Sequence, residues 1–200
     1  MRLDESPDSM TTDLAEGESV PLPELLIVGD VFGFLPDEAD LPDPIGCGHR
    51  RLDLAELSGR PDLEGERLHA HLFTEGGFGE AVDRLRAIGG GPRTIGLGFS
   101  AGGSVLWRAA ANGLRLGALI CVSSTRLRHE TTSLEIPTRV FWAGDDGGRP
   151  SEAWNHAVAD AAIVYPGESH AFYRHRTSPA ARTLWADLRR TIAEIRATAG

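Results

Sequence analysis

Short apolar runs closed by glycine or aspartate alternate along this chain with stretches whose apolar positions recur every three to four residues. Leu25, Leu26, Ile27 and Val28 form one such run, ended by Gly29 and Asp30. An uninterrupted apolar run of this length marks a strand covered on both faces. A second, weaker strand falls near 50–54, and Ala81, Val82, Leu85 and Ile88 then repeat at helical spacing within 79–88. Residues 93–97 read as a strand, 104–112 as a helix, and 116–122 and 138–143 as further strands. Ser151 is suited to cap a helix to 158, and 161–165 completes about six strands. The longest amphipathic helix covers 177–197, with Ser178 and Pro179 as its cap and first turn. Strands separated by helices imply crossover connections. The expected fold is therefore α/β, a mostly parallel sheet with helices on both faces. Such sheets bind ligands beyond the carboxyl ends of their strands. Asp30, Ser100, Asp145, Asp146 and His170 all follow strand-like runs directly.

The pattern starts only near Leu22. Residues 1–21 are acidic and almost free of large apolar side chains, which predicts a disordered leader ahead of one domain over 22–200. The formal net charge of −9 argues against a nucleic-acid partner, which would need a basic footprint. All 20 basic residues are arginine. Without lysine, P-loop phosphate binding, Schiff-base chemistry and Ser–Lys dyads drop out. Cys47 and Cys121 fit neither a disulfide framework nor a zinc ribbon. No apolar stretch reaches the length of a membrane span, and the start lacks the basic and apolar regions of a signal peptide. The expected setting is the cytoplasm, with no membrane partner. His69 and His71 have a metal-capable look; on a helix they would point to different faces, and on a strand they would share one but no third ligand is obvious. No metal or cofactor is expected, and the four tryptophans read as packing.

Gly98-Phe99-Ser100-Ala101-Gly102 matches G-x-S-x-G between a strand and a helix. A tight strand-to-helix turn exposes a serine hydroxyl, and the flanking glycines let neighbouring backbone approach. Such a nucleophile needs a base, and the base needs a group that fixes its tautomer. Gly144-Asp145-Asp146 follows the strand at 138–143, and His170 follows the last strand. The proposed triad is Ser100, His170 and Asp146. Asp146 is preferred over Asp145 because Pro150 lies four residues beyond it, and His175 is the alternative base. The oxyanion hole is expected from the N–H groups of Ala101 and Val31.

These segments resemble the dienelactone hydrolase family of α/β hydrolases, from about Leu25 to the C-terminus. Gly29-Asp30-Val31-Phe32-Gly33 is similar to the family's first-strand end, and Gly98 to Gly103 to its nucleophile elbow. Gly144 to Pro150 resembles its acid loop. His170-Ala171-Phe172-Tyr173-Arg174 resembles its His-x-Phe segment with an arginine four residues after the base. The resemblance implies hydrolysis of small-molecule esters or lactones without a metal and without a lid domain. It also implies substrate contacts by Asp30 and Phe32, and an anion contact by Arg174. Two departures stand out. The family's nucleophile is cysteine where this chain has Ser100, and its acidic residue is usually glutamate where this chain has Asp30; the serine points to a general esterase relative.

Two other readings fit parts of the sequence. Gly96-x-Gly98-x-x-Ala101 satisfies a loose dinucleotide fingerprint. The expected acid about 20 residues on is missing, although Arg126 would suit a 2′-phosphate. A catalytically inactive binding module of the same fold is the other, because a motif and an activity are separate facts.

Overall fold

The computed structural model describes residues 24–34, 49–175 and 177–198. The leader expected over 1–21, and Cys47, lie outside the described residues. Six strands form one sheet: β1 (Glu24–Val28), β2 (His49–Leu52), β3 (Thr94–Phe99), β4 (Ala118–Val122), β5 (Thr138–Ala143) and β6 (Ala161–Tyr165). Their order is β2-β1-β3-β4-β5-β6, and every neighbouring pair is parallel. The helices are α1 (Leu54–Leu57), α2 (Gly65–Thr74), α3 (Gly77–Ile88), α4 (Ala101–Ala111), α5 (Glu152–Val158) and α6 (Pro179–Thr198). Short 3₁₀ turns cover Thr125–His129 and Phe172–Arg174.

The chain leaves β1 toward β2 on one side, then returns to place β3 on the other. This reversal opens a crevice between the carboxyl ends of β1 and β3, where doubly wound sheets take their ligands. Asp30 follows β1 and Ser100 follows β3, so both stand on that crevice.

Side-chain alternation splits the core in two. Leu26, Val28, Leu119, Cys121, Val140 and Trp142 point to the face carrying α1 to α5, where they meet Leu68, Leu85, Val105 and Leu106. Leu25, Ile27, Ile95, Leu97, Phe99 and Ile120 point the other way, against Leu184, Trp185, Leu188 and Ile192 of α6. The central strands are buried on both faces, which is why they read as unbroken apolar runs. The edge strands β2 and β6 are less buried, and β2 is also polar.

The sequence reading is incomplete between 54 and 74. The second strand ends at Leu52 rather than 54, because the Asp53 carboxylate accepts from Ala55 N at 2.7 Å and caps α1. The helix α2 was not anticipated; it buries Leu68 and Leu72, one helical turn apart, on an otherwise polar segment. The fourth strand begins at Ala118, two residues later than expected, and Leu116 is buried in the turn before it.

Two glycines decide how α4 sits. A Cβ on Gly98 would lie 2.3 Å from the Cα of Gly103, and one on Gly102 would lie 2.1 Å from the carbonyl oxygen of Gly29. Only hydrogen at these positions lets the helix start press against both β3 and the end of β1. That contact brings Ser100 beside the loop after β1.

Candidate active site

Ser100 occupies a backbone conformation that side-chain-bearing residues avoid, with φ of 48° and ψ of −118° at the N-cap of α4. Such strain is on the order of 1–3 kcal/mol and persists only where packing enforces it. Here the Gly98–Gly103 approach enforces it, and the hydroxyl is left at the rim of the sheet.

The Ser100 Oγ lies 2.8 Å from Nε2 of His170, and His170 Nδ1 lies 2.5 Å from Oδ2 of Asp146. Asp146 uses its other oxygen to accept from Gly148 N at 2.9 Å, so the carboxylate is held from both sides. An ionised carboxylate can only accept, which fixes the proton of a neutral imidazole on Nδ1 and turns the Nε2 lone pair toward the serine. Asp145 is exposed, and its backbone N–H donates to Glu168 O at 3.0 Å. Of the two adjacent acids, Asp146 is the one in contact with the imidazole. His175 is exposed beyond the Phe172–Arg174 turn, and its N–H donates to Phe172 O.

Val28 pairs with Gly98 across β1 and β3. Val31 and Ala101 each lie three residues beyond that pair, and both line the cavity around Ser100, which has a volume of about 670 Å³. Both residues thus stand at the same crevice as the hydroxyl.

Asp30 and Arg174, expected to face a substrate, face each other. Asp30 is 3% exposed. Its Oδ2 accepts from the Tyr173 hydroxyl and from Arg174 Nε, both at 2.7 Å, while Oδ1 accepts from Phe32 N at 2.7 Å and from Arg174 Nη2. Arg174 Nη2 also donates to Gly33 O at 3.2 Å. Burial pulls the guanidinium pKa down, but the Asp30 carboxylate more than offsets it and leaves the group above its ordinary value. Burial first, and the Asp30 charge second, push the Tyr173 hydroxyl well above the usual tyrosine range. Phe32, 54% exposed, lies on the cavity wall with the Arg174 guanidinium 5.4 Å from its ring centroid.

His69 and His71 diverge on α2, as helical geometry requires. His71 Nε2 is 3.1 Å from Ser58 O, while His69 lines the cavity with its ring tilted 57° against Phe73, centroids 4.8 Å apart. Among the described residues, no three His, Cys, Asp or Glu side chains are grouped to hold a metal ion. Among them also, no helix is long and apolar enough to cross a membrane. His69, Phe73, Arg126 and Arg128 form a wall of this cavity that the sequence did not bring together, although it marked His69 for a metal and Arg126 for a 2′-phosphate. Its signal was the position of Arg126 just beyond β4, the same strand-end rule that picked out the triad.

No family model matches the chain, and no curated protein matches it. Solved structures do. The fold is that of the α/β hydrolases, and structures of dienelactone hydrolase-like proteins share it. One bears the name dienelactone hydrolase and comes from Klebsiella pneumoniae subsp. pneumoniae MGH 78578; it is 20% identical, aligned over 89% of each chain, with a TM-score of 0.62. A dienelactone hydrolase-like promiscuous phosphotriesterase from metagenomic libraries is 15% identical over 90% of this chain and 89% of its own, at 0.62. The RedJ thioesterase of Streptomyces coelicolor is 17% identical over 94% and 90%, at 0.55.

Proposed function

We propose that this protein is a serine hydrolase that cleaves small-molecule carboxylic esters or lactones through an acyl-enzyme. Ser100 Oγ attacks the carbonyl carbon while its proton passes to His170 Nε2. The negative charge that forms on the carbonyl oxygen is met by the N–H groups of Ala101 and Val31, a contribution typically worth about 10²-fold or more in rate per donor. Collapse breaks the bond to the leaving alcohol, which takes the proton from Nε2. Water then repeats the sequence on the acyl-serine, giving the acid and restoring the hydroxyl. Asp146 holds the ring and stabilises its protonated form.

The observation that carries this reading is the unbroken hydrogen-bond chain Ser100–His170–Asp146, at 2.8 and 2.5 Å, beginning on a serine held at positive φ. The names of the structural neighbours, a dienelactone hydrolase, a phosphotriesterase and a thioesterase, support hydrolytic chemistry at such a site. For the dinucleotide alternative, His170 Nε2 stands 2.8 Å from Ser100 Oγ at the N-cap of α4, the helix end a pyrophosphate would need.

Incubation with a fluorophosphonate is expected to give one covalent adduct by mass spectrometry and to abolish hydrolysis of a short-chain p-nitrophenyl ester. Ser100→Ala is expected to lose both. A full adduct on Ser100→Ala would refute the nucleophile.

A further inference from the structure

Sheet order puts two different walls on either side of Ser100. On the β1 side the cation is used up, because Arg174 is bound by Asp30. On the β4 side it is not. Arg126, half-buried in the turn after β4, has no carboxylate or hydrogen-bond acceptor among the described residues; its contact is the ring of Phe73, 3.8 Å from the guanidinium carbon. Among the described residues Arg128 donates only to backbone oxygens, Thr125 O at 2.9 Å and Gly148 O at 3.4 Å. Glu66 lines the same cavity but forms no ion pair with either guanidinium.

A guanidinium with no acid partner among the described residues offers its N–H edge to water or to an anionic ligand that enters the cavity. Burial, and Arg128 after it, pull the Arg126 pKa below its ordinary value, so its neighbours supply no compensating charge. A guanidinium stacked on an aromatic face keeps its N–H edge free and pre-aligned for two parallel hydrogen bonds, which suits a carboxylate or phosphate.

Resting on the hydrolase reading, we infer that Arg126, stacked on Phe73 and flanked by Arg128, is a specificity residue that binds an anionic group on the substrate. The preferred ester or lactone carries a carboxylate or a phosphate-like group on the part lying over the end of β4. The anion contact that sequence resemblance assigned to Arg174 is thereby moved to the opposite side of the nucleophile.

The test compares dimethyl glutarate, monomethyl glutarate and methyl 3-phosphonopropionate, with hydrolysis followed by proton release at constant pH. The wild-type protein is expected to show kcat/KM at least about tenfold higher for one or both anionic esters than for the neutral diester. Arg126→Gln should lower kcat/KM for the favoured anionic ester by about 10–100-fold, mainly through KM. Arg115→Gln, an exposed arginine before β4 at the far end of the sheet, changes net charge equally and should keep the preference. Whichever anionic ester gains identifies the group as carboxylate or phosphate. A wild-type preference for the diester, or an anionic preference that survives Arg126→Gln, overturns the subsite. A readout independent of turnover is calorimetric titration of Ser100→Ala with glutarate and with methylphosphonate, where binding is expected and is lost when Arg126→Gln is added. Protein that takes the fluorophosphonate yet binds neither anion refutes the subsite and leaves the hydrolase reading standing. Anion binding without labelling does the reverse.

Discussion

Two carboxylates at the rim, Asp146 after β5 and Asp30 after β1, are each engaged by a nitrogen base from one short segment, His170 and Arg174. The partners are four residues apart, yet the two assemblies are built for different ends. Asp146 leaves the imidazole half-exposed, with its second nitrogen on Ser100 inside an open cavity. Asp30 is buried, and both of its oxygens are taken up by Phe32 N–H, Tyr173 and Arg174. An imidazole can gain and lose a proton near neutral pH, whereas a guanidinium cannot. In the hydrolase we propose, the first pair is the proton device; the second is a clasp that fastens the 170–174 segment to the end of β1. Because that segment carries His170, the clasp also sets where the base stands.

The comparison breaks hardest at the nucleophile. Ser100→Ala should lower kcat for ester hydrolysis by about 10⁴-fold or more while circular dichroism and Tm stay close to wild type. Asp146→Asn should lower kcat by about 10³–10⁴-fold, again with little change in Tm, because the ring loses its tautomer partner and not its packing.

Asp30→Asn reverses the balance. It leaves the Arg174 guanidinium without its counter-charge beside buried groups, and denaturant titration should show a loss of about 3 kcal/mol. Its kcat, measured well below the melting midpoint, should fall less than in Asp146→Asn. A variant with wild-type stability and an Asp146→Asn-like kcat would remove the distinction between clasp and device.

Alkaline titration sharpens the same contrast more gently. Tyr173 is held well above its ordinary value of 10.0 by burial first and by the Asp30 charge second. As pH rises, the unfolded chain loses this proton before the folded one. The stabilisation is therefore complete below about pH 10 and declines above it. Tyr173→Phe should lose stability less steeply above pH 10 than wild type, as read from urea midpoints across that range. The smallest effect lies outside both assemblies. His69 is held below its ordinary value by burial first, then by Arg126 and His170, so Arg126→Gln should move its NMR titration upward.

Much of the architecture was legible because its causes are local. Leu25 to Val28 and the strand before Ser100 are apolar without interruption because both faces of those strands are covered. The helix at 152–158 was legible from Ser151, whose hydroxyl accepts from Trp154 N at 3.2 Å. The missed helix α2 has only Leu68 and Leu72 as a clear buried pair, so its period is weak against a polar background. The order serine, acid, histidine, each after its own strand, was also written in the chain.

What the sequence by itself determined is which residues can do chemistry and at which strand ends they stand, since alternation, capping and turn-forming glycines act over a few neighbours. The three-dimensional arrangement decided the pairing. It chose Asp146 over Asp145, gave Arg174 to a carboxylate 144 positions away, and left Arg126 against Phe73 with no acid among the described residues. The reason is physical. A charge takes its partner from whatever the strand order brings within a few ångströms, and distance along the chain carries almost no information about that.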